Sequence, residues 1–227
     1  MYVPGHFHET RLDILQEIIR RHPLANLVTH GPDGLVASPV PLLLDPEPGP
    51  FGTLHGHLAR ANPQWKQAAG DALALFMGAD AYVSPAHYPT KRATGKVVPT
   101  WNYLAVQAAG PIEFYDDRDR LLRLVNRLTE RHEAGRDQPW AVSDAPADYI
   151  TAMLNGIIGL ELRVTRLDGK WKLSQNRSAE DRAGVVEGLA EEAPAVAREM
   201  ERFRQRRSWP RTPMLGWTAP DGIGVPD

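Results

Sequence analysis

Apolar residues recur along this chain in two rhythms, near 3.6 and near 2, and the second dominates. Leu12, Leu15, Ile18 and Ile19 share one helical face after Thr10, a candidate cap, and His22-Pro23 closes that segment. Two β-patterned runs, 24–30 and 35–45, flank Gly31-Pro32-Asp33-Gly34 and read as a hairpin. Pro39 and Pro41 cannot donate to a ladder, so the second strand takes an edge or bulged position. Residues 53–58 read as a third strand and a short helix begins at 63. Residues 72–84 form a strand or a pair, 85–96 a basic loop, and 97–115 a long strand or two. A helix spans 117–132, with Leu121, Leu124, Val125 and Leu128 on one face. Another spans 144–154 with Asp144 as a cap. Residues 157–173 read as a hairpin folded across Asp168-Gly169. Ser178 opens a further helix, with Glu180 and Asp181 in its first turn. Past residue 190 the chain turns into a charged helix and an irregular tail, so 1–189 reads as the domain and 190–227 as an appendage. This many β segments close most economically as a barrel. The expected fold is α+β, mainly β, with helices at the flanks.

Composition narrows the function more than the fold. The 227 residues are 42% hydrophobic and 24% charged, the balance of a globular chain. A net charge of −2 lacks the basic footprint of a nucleic-acid-binding domain. With no cysteine there are no disulfides, thiolate nucleophiles or Cys-ligated metals. No targeting pattern stands at the N-terminus, and no apolar run approaches the roughly 20 residues that span a bilayer. The expectation is a soluble cytoplasmic protein. No P-loop, G-x-G-x-x-G or G-x-S-x-G follows any predicted strand, which removes support for the common nucleotide and hydrolase folds.

Three stretches carry candidate chemistry. In G-H-L-A-R-A-N-P-Q-W, Gly56 to Trp65, Asn62 is a favoured N-cap and Pro63 a favoured first helical residue. A helix start beside Arg60 makes a phosphate site, unless Asn62 takes the free N–H groups itself; both readings stand on sequence. His55 and His57 share a strand face, but a metal needs a third ligand and no spacing supplies one, so no metal is expected. In K-W-K-L-S-Q-N-R, Lys170 to Arg177, a polar strand end suits a heteroaromatic ring or a phosphate, or is an ordinary edge with Trp171 in the core. In T-K-R-A-T-G-K-V-V-P-T-W-N-Y, Lys91, Arg92 and Lys96 precede Trp101 and Tyr103. A basic loop beside aromatics suits an anionic planar ligand, or is a solvated loop leading into a packed strand.

Six motifs stand in order: M-Y-V-P-G-H-F, G-H-L-A-R-A-N-P-Q-W, A-Y-V-S-P-A-H-Y-P, G-K-V-V-P-T-W-N-Y, P-W-A-V-S-D-A-P-A-D-Y-I and G-K-W-K-L-S-Q-N-R. Together they resemble the PaiB family, described as FMN-binding negative transcriptional regulators, over about residues 1–205. The resemblance implies a split antiparallel β-barrel of the pyridoxamine-phosphate-oxidase/FMN-binding type. It also implies a homodimer with FMN at the subunit interface. On that reading Arg60 and Asn62 meet the phosphate, with Lys96 assisting. Ser38, Val40, Leu58 and Ala59 offer backbone contacts to the isoalloxazine beside His57. Trp101, with Lys172, Gln175, Asn176 and Arg177 of the polar strand end, completes the FMN-binding set, that segment reaching across from the partner. Direct DNA binding, which the family description implies, gains nothing from charge or motif; the one concentrated basic stretch is 202–211. The function expected is an FMN-binding module with flavin as ligand or redox sensor. The alternatives are a flavin-dependent oxidoreductase for a small substrate, or a haem-binding or haem-degrading split barrel with His57 or His87 as ligand.

Overall fold

The computed structural model describes residues 1–206; the tail that follows, including the end of the 202–211 basic stretch, lies outside the described residues. In chain order the elements are β1 (His8–Glu9), α1 (Leu12–Arg21), β2 (Leu24–Gly31), β3 (Gly34–Pro41), β4 (Leu43–Asp45), β5 (Thr53–Ala59), α2 (Gln64–Gln67) and β6 (Ala69–Val83). There follow α3 (Pro89–Thr94), β7 (Thr100–Tyr115), α4 (Arg118–Glu133), α5 (Ala147–Asn155), β8 (Ile157–Arg163), β9 (Arg166–Lys172), α6 (Ala179–Glu192) and α7 (Pro194–Arg206). The strands pair antiparallel in the order β3-β2-β6-β7-β8-β5-β4, with β9 on β7 and β1 on β9. This is the split barrel with flanking helices.

The proline argument holds: β3, carrying Pro39 and Pro41, is the end strand of that order. Asp117 and Ser178 cap α4 and α6, accepting from Arg120 N and Asp181 N. Thr10 does not cap α1. The buried Glu9 carboxylate accepts from Thr10 N and Arg11 N instead, and Arg11 closes on it at 2.5 Å. Asp144 ends a 3-10 turn and accepts from Ala141 N, so α5 starts three residues later.

The hairpin expected across Asp168-Gly169 is not there. β8 and β9 run in one direction along β7: Tyr103 faces Lys172, Ala109 faces Arg166, and Ile112 then faces Leu162. The register slips by one residue at a jog over Val164-Thr165. Gly169 lies inside β9 because α1 packs on it; a Cβ there would overlap Leu15 and sit 2.9 Å from Glu9 O. The dipeptide that signals a turn here serves close packing. The jog passes Gly110, where β7 changes partner from β9 to β8 and a Cβ would overlap the Arg163 carbonyl oxygen.

One core fills the barrel, from Leu27, Phe76, Leu104, Val106, Leu160 and Leu162 to Ile18 and Ile19 of α1. A boundary at residue 190 would fall inside α6, and α7 adds Val196, Ala197 and Met200 to the same core. None of the helices among the described residues is long and apolar enough to cross a membrane.

Candidate functional site

The opening of α2 is built by side chains. Asn62 Oδ1 accepts from Gln64 N at 2.9 Å and Asn62 Nδ2 donates to Ser38 Oγ at 3.0 Å, which ties the turn to β3. Gln64, fully buried, donates through Nε2 to Leu27 O, Thr29 Oγ1 and Val36 O. So α2 is a single turn that starts at Gln64, one residue later than expected, with Pro63 in the cap position and no side-chain cap; Asn62 takes up one free N–H, that of Gln64, in the turn that precedes the helix. Arg60 Nε donates to Asn155 O at 2.7 Å and Nη2 to Ile157 O at 3.2 Å, while Nη1 lies 3.7 Å from the exposed Asp116 carboxylate. Two arms of the fork thus hold the entry to β8 and orient the third. A cavity of about 130 Å³ adjoins, lined by Trp65, Phe114, Tyr115, Asp116 and Ile158. The side chains of Val40 and Leu58 are core residues, leaving only their backbone to meet a ligand, and Ala59 is exposed.

His55 and His57 differ in surroundings. His55 lies between Asp45 (3.0 Å) and Glu161 (3.8 Å). Burial pushes its pKa down against the pull of those carboxylates, and Arg127 and Arg120 add to the lowering. His57 Nδ1 is buried without a hydrogen-bond partner, and burial alone lowers its pKa. In His22 burial and Arg21 lower the pKa against Glu199. All three bind protons less readily in the fold than once unfolded, where the ordinary value is about 6.5. Their stabilising contribution is therefore complete above about pH 6.5 and is lost as pH falls through the lowered values. Urea unfolding at stepped pH from 7.5 to 5 should show falling stability, with a shallower fall in His57→Gln; a flat profile would refute the burial of these imidazoles.

A second group lies on the outer face of the same sheet. Tyr103, Lys170 and Lys172 face each other across β7 and β9, and Trp101 stacks edge-on to Tyr82 at 6.2 Å. Lys172 Nζ donates to Trp101 O at 2.6 Å and to Thr100 Oγ1. Burial, then Lys170 and Arg177, push its pKa down. Lys170 Nζ sits 5.5 Å from the Tyr103 ring centre. Among the described residues neither lysine has a carboxylate at ion-pair distance. Gln175 turns back on its own chain, accepting from Leu173 N and donating to Trp171 O, and the Arg177 guanidinium covers the Tyr88 ring at 5.1 Å. Lys96 and Asn176 are exposed.

Five of the site residues named from sequence fall into two separate places. Asn62 is tied to Ser38 at the β3 edge, while Arg60, two residues before it, is anchored at the start of β8; Trp101 and Lys172 meet on the outer face. Ser38 faces inward with Leu27, while Trp101 faces outward with Tyr82. Three strand steps, roughly 14 Å, and seven residues along β7, roughly 23 Å, separate them on the sheet. Sequence reasoning left Gln64, Asn102 and Ser174 without roles. Asn102 had a signal: it occupies the buried phase of a strand otherwise filled by Leu104, Val106 and Ala108.

Residues 1–166 match the family model described as "Putative FMN-binding domain". The protein named protease synthase and sporulation protein PAI 2, from Bacillus subtilis, is 30% identical, covering 88% of this chain and 94% of that one. A protein of Aspergillus fumigatus is 39% identical over 83% of this chain and 90% of its own. The flavocytochrome Anf3 of Azotobacter vinelandii superposes with a TM-score of 0.56 at 14% identity, over 100% of this chain and 90% of that one, a likeness of fold alone. The chain belongs to the PaiB-type family of FMN-binding domains.

Proposed function

We propose that the chain works as a homodimer that holds FMN where the β3 edge of one copy meets the outer sheet face of the other, with the flavin as a regulatory or redox-sensing ligand. The observation that carries this is the division of the candidate residues: Ser38, to which Asn62 is bonded, and Trp101 lie on opposite faces of one sheet. The cavity of about 130 Å³ beside Asp116 is also smaller than the roughly 300 Å³ at which ligand pockets begin. A second copy supplies the missing walls. The outer face suits such a copy, since Leu24, Leu35, Met77, Tyr82 and Trp101 are exposed there.

The donor set fits FMN. Arg60 Nη1, held in place by the other two arms of its fork, and Lys172 on the partner copy are cations for a phosphate. The unpaired outer edge of β3 presents backbone groups near Ser38 to the polar rim of a flavin. Trp101, Tyr103 and Tyr82 give apolar faces for its rings. When bound, FMN supplies a centre that takes up and releases electrons. The name of the Bacillus relative, which joins protease synthesis to sporulation, favours a regulatory output over turnover.

Titration of the purified protein with FMN, followed by flavin fluorescence and by light scattering, tests this. The expected result is one FMN per chain on a particle of twice the chain mass. A monomer that binds FMN stoichiometrically contradicts the proposal, and rapid bleaching of bound flavin by NAD(P)H would move the assignment to an oxidoreductase.

A further inference from the structure

Asn102 is fully buried, in the middle of the W-N-Y stretch that displays Trp101 and Tyr103 on the opposite face. A buried amide is costly unless paired. Its partners lie far along the chain: Nδ2 donates to Ser174 Oγ at 3.1 Å and to Met200 Sδ at 3.5 Å, and Ser174 Oγ donates to Oδ1 at 3.1 Å. Ser174 has φ 63°, a left-handed conformation that glycine adopts without strain and serine does not. Serine at this position is explained by its hydroxyl. β9 ends at Lys172, and the left-handed turn two residues later folds 175–177 back, with Arg177 N donating to Ser174 O at 3.0 Å. The three groups thus fasten β7, the end of β9 and α7 together behind the strand pair that carries Lys172. Ser174 and Met200 both lie past residue 166, beyond the matched family region.

We propose that Asn102 and Ser174 are positioning residues for the ligand site: their buried clasp, closed by Met200 of α7, fixes the end of β9 so that Lys172 and Trp101 stand together toward FMN. This rests on the assignment of Lys172 to the FMN site. It makes the C-terminal helical pair, through α7, a working part of that site.

The test is a mutant cycle read by FMN titration of the full chain. Asn102→Leu with Ser174→Gly removes both polar partners at once, leaves neither unpaired and relieves the left-handed strain, so the fold is kept. FMN binding should weaken about tenfold. Adding Lys172→Ala to that pair should weaken binding no further than Lys172→Ala does alone, because the clasp acts through Lys172. Ser174→Gly alone serves if the pair fails to fold, with the same direction expected. If Lys172→Ala leaves affinity unchanged, the site assignment itself fails. If Lys172→Ala weakens binding but loss of the clasp does not, or if the two effects multiply independently, the positioning role is overturned.

Discussion

Lys172→Ala is expected to weaken FMN binding by about 2 kcal/mol, roughly 30-fold, while leaving the melting temperature of the ligand-free protein unchanged or slightly higher. The reason is electrostatic. Lys172 is half-buried, its neighbours Lys170 and Arg177 carry the same charge, and its hydrogen-bond partners, Trp101 O and Thr100 Oγ1, are neutral. Among the described residues no carboxylate pairs with it. A phosphate would supply the missing counter-charge, so the ammonium matters most when the ligand is present. In the ligand-free chain its removal relieves repulsion. The combination of lower affinity with undiminished stability sets a ligand residue apart from a packing residue. An unchanged FMN affinity would take Lys172 out of the site.

Gly110→Ala should lower stability by about 3 kcal/mol, the upper end of the cost of overpacking, which corresponds to a fall in Tm of roughly 6–12 °C. The added methyl would overlap the Arg163 carbonyl oxygen and lie 3.1 Å from Thr165 N, both backbone atoms that cannot turn aside. Thr165 N donates to Ala109 O and Val164 N to Gly52 O, so the jog has no slack to give. β7 pairs with β9 on one side of residue 110 and with β8 on the other, and damage here loosens the division that splits the barrel. Calorimetric melting of the variant measures it. A Tm within 2 °C of the parent would mean that β7 can change partners without glycine.

The elements legible in the sequence are those whose signal is local. The Leu121–Leu124–Leu128 stripe, the Ser178 cap and the two prolines of β3 each follow from neighbouring residues and local stereochemistry. The β8–β9 segment misled because Asp-Gly between apolar runs is a hairpin signal, whereas Gly169 answers to α1, about 150 residues away in the chain. Register along a distant partner strand leaves no local trace. In the site, the Asn62 turn was visible, yet its tie to Ser38 needs a hairpin that sequence can only infer. Arg60 read as a phosphate ligand; its engagement with the Asn155 and Ile157 carbonyls depends on β5 and β8 lying side by side. The separation of the Trp101 and Ser38 groups onto opposite faces is a tertiary fact, legible only as the alternation of each strand taken alone.

The central claim is that each FMN site takes its two halves from different copies, and mixing two defective chains tests it directly. Arg60→Ala damages the edge half and Lys172→Ala the outer-face half, so each homodimer alone should bind FMN weakly. In a mixed dimer one site collects both defects and the other collects neither. Co-expressing the two variants in equal amounts should therefore restore parental affinity at about a quarter of all sites, visible as a tight phase in the FMN titration. A mixture that binds no better than the average of the two variants would contradict the shared site and place the whole of it within one chain.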